Sequence, residues 1–138
     1  MDGALRAAPP SMTNSQLCRV PLASVLDPKI SPADLGRKVE TLGAKPMSDG
    51  ITMDISGEVI LSDVEHGGLM AFDLQTRKAR TLVRSRDVIW ADGVATGPDG
   101  SLHFTDSALS AYIGQLAGPP DKALLTARRP YFIYRLKR

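Results

Sequence analysis

At 138 residues the chain is long enough for one modest domain. Its 17 basic and 15 acidic residues nearly balance, which argues against a dedicated nucleic-acid binder built on a clustered basic face. A single cysteine, Cys18, excludes an intramolecular disulfide and a closed cysteine-based metal site, and no apolar run approaches the roughly 20 residues of a membrane span.

Residues 1–15 read as a flexible leader. Met1 to Asn14 has one Arg, no apolar core and much Ala, Pro, Ser and Gly, so it does not read as a secretory signal. Leu17 to Val20 and Lys38 to Leu42 read as two strands. Between them, Ser31 is a helix cap and Pro32 the first helical position of a short helix running to about Arg37. These strands suit the outer half of one blade of a repeat protein.

The repeat follows. Asp49 and Asp92, Gly57 and Gly100, and Asp63 and Asp106 are each 43 residues apart (92−49, 100−57, 106−63). A period of roughly 40–50 residues is that of a four-stranded propeller blade. The first copy has the right content: Ile51 to Met53, Val59 to Leu61, Leu69 to Phe72 and Ala79 to Val83 are short strands separated by Ser56-Gly57, Gly67-Gly68 and a polar turn at Gln75 to Lys78. The second copy predicts Gly93 to Thr96, a Pro98-Asp99-Gly100 turn and Leu102 to Thr105. Ser107 to Pro130 reads as an extended loop with a short helix near Ala108 to Leu116. Tyr131 to Leu136 is a third strand, rich in aromatic and β-branched residues. The predicted fold is all-β: a partial six-bladed β-propeller of about two and a half four-stranded blades (16–43, 48–83 and 91–136), with one short helix between strands. The basic stretches Arg77 to Arg86 and Arg128 to Arg138 are read as solvated edges and loops.

The ordered motifs Lys45-Pro46-Met47-Ser48-Asp49-Gly50-Ile51, Leu61-Ser62-Asp63-Val64-Glu65-His66, Trp90-Ala91-Asp92 and Gly97-Pro98-Asp99-Gly100-Ser101-Leu102-His103-Phe104-Thr105, with the closing Pro130-Tyr131-Phe132-Ile133-Tyr134-Arg135, resemble the last third of the royal jelly protein/yellow family. The resemblance covers about residues 16 to 138. It implies a six-bladed propeller, an extracellular or periplasmic location and a small-molecule ligand, such as an amine or a sterol, in the central funnel. The sequence departs from the family in its Ala91-Asp92-Gly93 and in being much shorter. More distantly, the Asp-Gly strand starts resemble gluconolactonase/senescence-marker propellers. There an Asp in this context is a metal ligand and candidate base, which implies the same role for Asp49 toward Ca²⁺ or another divalent cation.

Innermost strands line a propeller's channel, so Asp49 and Asp92, at the starts of two such strands, are the candidate ligand residues, with Ser48 and Trp90 beside them. Asp49 and Asp92 have an alternative reading as turn residues that accept backbone N–H bonds ahead of a Gly. Trp90 is either core packing between blades or an aromatic wall. Asp63 and Asp106 are expected to cap the turns that follow them, and Glu65-His66 to lie in a surface loop. Three functions follow: a ligand-binding propeller, a divalent-metal lactonase-like hydrolase, or a piece with no activity by itself. Self-association through open blade faces is a further expectation.

Overall fold

The computed structural model describes residues 6–7, 14–112, 122–127 and 131–137. Three antiparallel sheets account for nearly all of the regular structure. The first has the order β1-β2-β3, from β1 (Arg6–Ala7), β2 (Gln16–Pro21) and β3 (Glu40–Ala44). The second is a complete four-stranded blade, β4 (Ile51–Met53), β5 (Val59–Asp63), β6 (Gly68–Asp73) and β7 (Lys78–Arg84), whose spatial order is its chain order. The third sets β8 (Ala91–Thr96), β9 (Leu102–Asp106) and β10 (Ile133–Leu136) side by side. Successive up-and-down four-stranded sheets packed face to face are the architecture of a β-propeller, and the chain forms part of one.

The repeat of 43 residues reappears as geometry. Gly57 and Gly100 both take positive φ, 86° and 78°, at the turn between the first two strands of their blades. Their amides donate to Asp54 and Gly97 at 3.1 and 3.0 Å, and Val64 and Ser107 donate to Met47 and Trp90 at 3.2 and 3.1 Å. Glycine is needed at the two turn positions because a side chain there would crowd the following carbonyl.

Strand β5 explains why the blades stack. Its side chains alternate between two faces, and both are covered, so all five of its residues are buried. Ile60, with Leu69 and Ala71 of β6, packs against Val88, Ala91, Leu102 and Phe104 of the following blade. Val59, Leu61 and Phe72 pack on the opposite side against Leu17 and Leu42 of the preceding sheet. The outer rim is charged: Arg77 at the β6–β7 turn pairs with Glu40 of β3 at 2.6 Å, and Arg80 of β7 with Glu58 at 2.6 Å. The β2–β3 pair therefore packs on β5 and β6 of the complete blade and pairs with its β6–β7 turn.

Several elements differ from expectation. The described residues contain four short helices, where one was predicted between β2 and β3 and another near Ala108 to Leu116. Helix α1 (Leu22–Val25) starts directly after Pro21, which has no N–H with which to continue the ladder. Helix α2 (Pro32–Gly36) has the predicted cap, with Asp34 N donating to Ser31 Oγ at 3.1 Å and Arg37 as its C-cap. Helix α3 (Leu109–Tyr112) falls within the short helix predicted near Ala108 to Leu116, the rest of which lies outside the described residues, whereas α4 (Lys122–Ala127) stands in the stretch read as an extended loop. Lys38 lies in the turn after α2 rather than in β3. Within the predicted leader, Arg6–Ala7 pairs with Val20 and Pro21 along the open edge of β2; the rest of 1–13 lies outside the described residues.

Candidate functional site

Strands β4 and β8 are the innermost of their blades and run against each other. The segments leading into them meet at one end of the seam. Asp49 stands two residues before β4 and Trp90 immediately before β8. The Trp90 indole Nε1–H donates to Asp49 Oδ2 at 2.9 Å, so the two residues join adjacent blades through a side-chain hydrogen bond. Both are half-buried. Among the described residues no hydrogen bond reaches the other carboxylate oxygen of Asp49. The arrangement presents a carboxylate and an indole ring together at a partly open surface.

Each partner is held by its backbone. The amides of Asp49 and Gly50 both donate to Ser62 Oγ, at 2.9 and 2.8 Å, and Ser62 N returns a bond to Gly50 O at 3.0 Å. On the other blade, Asp106 accepts Ile89 N through Oδ2 and Trp90 N through Oδ1, both at 2.9 Å, and also Ala108 N at 2.9 Å. Gly50 lets the seam close. A Cβ built on it would stand 2.2 Å from Asp92 O and 3.0 Å from Val94 N.

The other predicted residues fall differently. Asp92 is half-buried within β8, where it and Gly93 form a bulge opposite Thr105 between the Ala91–Asp106 and Val94–Phe104 pairs. Asp92 and Gly93 stand across from Thr105 as Asp49 and Gly50 stand across from Ser62, while the side-chain partner of Asp49 is Trp90. Ser48 is 0% exposed and its hydroxyl donates to Pro46 O at 3.1 Å, so it offers a ligand no surface. Asp63 caps its turn, accepting His66 N at 3.1 Å and facing His66 Nδ1 at 3.0 Å, with Arg84 at 3.5 Å. Glu65 is exposed and accepts Met47 N at 2.8 Å. Lys45 is buried, which lowers its ammonium pKa against the opposing attraction of Glu65. Ser62 and Asp106 were not read as part of the site. The signal for Ser62 was a hydroxyl residue ending the apolar run of β5, directly across the ladder from Gly50.

Among the described residues no three His, Cys, Asp or Glu side chains converge as a metal-ligand set. Hard divalent cations take six or more oxygens, and Asp49 offers one that no described hydrogen bond occupies. The described residues do not by themselves fit a resident cation. No helix among them is long and apolar enough to cross a membrane.

Neither a protein-family model nor a curated protein sequence matches the chain. Solved structures do. A gluconolactonase from Xanthomonas campestris superposes with a TM-score of 0.54 at 18% identity, over 72% of this chain and 33% of its own. A chain of a nidogen/laminin complex superposes with a TM-score of 0.54 at 16% identity, over 78% of this chain and 37% of its own. The chain thus spans about a third of the length of these structures, and what it shares with them is the β-propeller fold.

Proposed function

We propose that this chain supplies two adjacent blade starts to the wall of a small-ligand funnel, in a propeller of the royal jelly/yellow type. The observation that carries the reading is the Trp90–Asp49 hydrogen bond across the blade seam. A carboxylate beside an indole face suits a small molecule that carries a cationic or hydrogen-bond-donating group on an apolar body. The ring face adds about 0.5–2 kcal/mol of cation–π attraction, depending on desolvation. Trp90 is the single tryptophan of the sequence, so intrinsic fluorescence reports on this seam alone. Titration with a panel of small amines and sterols is expected to give a saturable change in Trp90 emission, with affinity at least about tenfold weaker in Asp49→Asn, the loss of a charge-assisted contact. A flat response across the panel, or equal affinity in the variant, overturns the proposal. A flat response would favour a chain inactive by itself.

A second reading, lactone hydrolysis dependent on a divalent cation, draws its support from the fold likeness to a gluconolactonase and from the Asp49 carboxylate oxygen that no hydrogen bond occupies among the described residues. In this reading Asp49 is a ligand of the cation. Metal-dependent turnover of a simple lactone, abolished in Asp49→Asn, is the expected result. Turnover unchanged in that variant, or no binding of Ca²⁺ or Zn²⁺ by calorimetry, rejects it.

A further inference from the structure

The two blades use one pair of equivalent positions alike and another pair differently. In the complete blade, Ser62 gathers the amides of Asp49 and Gly50. Its counterpart 43 residues on, Thr105, faces Asp92 and Gly93, the counterparts of Asp49 and Gly50. In the second blade, Asp106 gathers the amides of Ile89 and Trp90. Its counterpart, Asp63, caps its own turn and faces Arg84. The repeat is therefore kept at Ser62 and Thr105 and broken at Asp63 and Asp106, since Met47, the counterpart of Trp90, gives its amide to Glu65. In each blade one of these side chains, Ser62 or Asp106, fixes the backbone of one member of the Asp49–Trp90 pair.

We infer that Ser62 and Asp106 are positioning residues that together hold the Asp49 carboxylate and the Trp90 indole in register across the blade seam. A hydrogen bond between side chains on separate blades survives only where both backbones are fixed to a few tenths of an ångström, because its strength falls steeply with distance and angle. Ser62 is suited to the task. It is 0% exposed, so water does not replace it, and its hydroxyl oxygen carries two lone pairs for two donors. Asp106 does the same with two carboxylate oxygens, each taking a consecutive amide as a charge-assisted bond. The pair is thus built from the second strands of both blades, with neither Ser62 nor Asp106 touching the ligand. The inference rests on the proposed function only in taking Asp49 and Trp90 as the ligand-facing pair.

The test uses the whole chain labelled with ¹⁵N. One tryptophan gives one indole Nε1–H resonance, and Asp49→Asn identifies the contribution of the carboxylate to its shift and solvent exchange. Ser62→Ala is expected to move the resonance in the same direction as Asp49→Asn and to speed indole exchange by about fivefold to tenfold, the loss of one ordinary hydrogen bond's protection. Asp106→Asn, which keeps one acceptor oxygen, is expected to shift it less. Ser62→Thr, which carries the hydroxyl found at 105, is expected to restore the wild-type resonance. Ser62→Cys keeps the volume with a poor acceptor and guards against loss of folding in the alanine variant. A folded Ser62→Ala or Ser62→Cys protein with wild-type indole shift and exchange overturns the inference. Ligand titrations are read separately: failure to bind any ligand with an intact indole signature strikes the functional proposal and leaves this one standing.

Discussion

Gly50→Ala is the sharpest perturbation that the fold offers. The backbone of Gly50 does not have the positive φ that excludes side chains, so the effect is one of space alone. The new Cβ would lie 2.2 Å from Asp92 O, where an ordinary contact begins at 3.4 Å, so the seam must open by about 1.2 Å at that point (3.4−2.2). The obstacle is the backbone of β8, locked to β9, and not the far end of a side chain. Overpacking costs about 1–3 kcal/mol, and a rigid obstacle puts this variant near 3 kcal/mol, or roughly a hundredfold in the folded-to-unfolded ratio. In urea the midpoint should fall by about 1–3 M, given a slope of about 1–3 kcal/mol/M. Trp90 emission at zero denaturant should move as well, because the same displacement pulls β8 away from Asp49. Gly36→Ala is the control: nothing lies within 4 Å of its added Cβ, and alanine in a helix gains up to about 1 kcal/mol over glycine. A Gly50→Ala midpoint equal to wild type, with unchanged emission, would refute the account of a seam closed by direct backbone contact.

The remaining predictions concern the packing between sheets and the last strand. Phe72→Ala removes a 0% exposed ring that packs with Leu17 and Leu42, and should cost about 3–5 kcal/mol in chemical denaturation; a loss under about 1 kcal/mol would show that the β2–β3 pair does not rest on it. Tyr134→Ala removes a ring stacked on Phe104 at 5.1 Å and should free β10 from β9, seen as faster amide exchange in residues 133–136; unchanged protection would count against that role. The Asp99 carboxyl is lowered from 3.8 to about 2, first by the Ser101 hydroxyl, then by its amide and by Arg135 of β10. Because the folded value is the lower one, the stabilisation is fully present above about pH 4 and is lost as pH falls toward 2. Loosening of β10, followed by Tyr134 resonances, should therefore occur in that window in wild type and be absent as a titration in Asp99→Asn. A titration retained in the variant would assign it to another group.

Much of the fold is local chemistry and was legible in the residues. Periodicity of two, glycines where φ must be positive at 57 and 100, and the Ser31-Pro32 cap each act within a few residues, and a repeat of 43 needs only self-comparison. The likeness to propeller structures agrees with that reading. The ends of the elements were less legible. Lys38 falls in a turn, and α4 interrupts a stretch whose Pro and Gly content suggested a loop, because short helices depend on what they pack against more than on propensity.

The site divides along the same line. Sequence singled out Asp49 and Trp90, since a carboxylate and a lone tryptophan beside two inner strands are conspicuous. Only the tertiary structure joined them. A hydrogen bond between residues 41 apart depends on how two blades meet, and that depends on Gly50 admitting the backbone of Asp92 and on the two faces of β5. The same packing buried Ser48, moved Asp92 into a bulge and gave Ser62 and Asp106 their partners. Strand, turn and repeat are properties of neighbouring residues, whereas the orientation of a side chain across a seam is fixed by the packing of both blades at once.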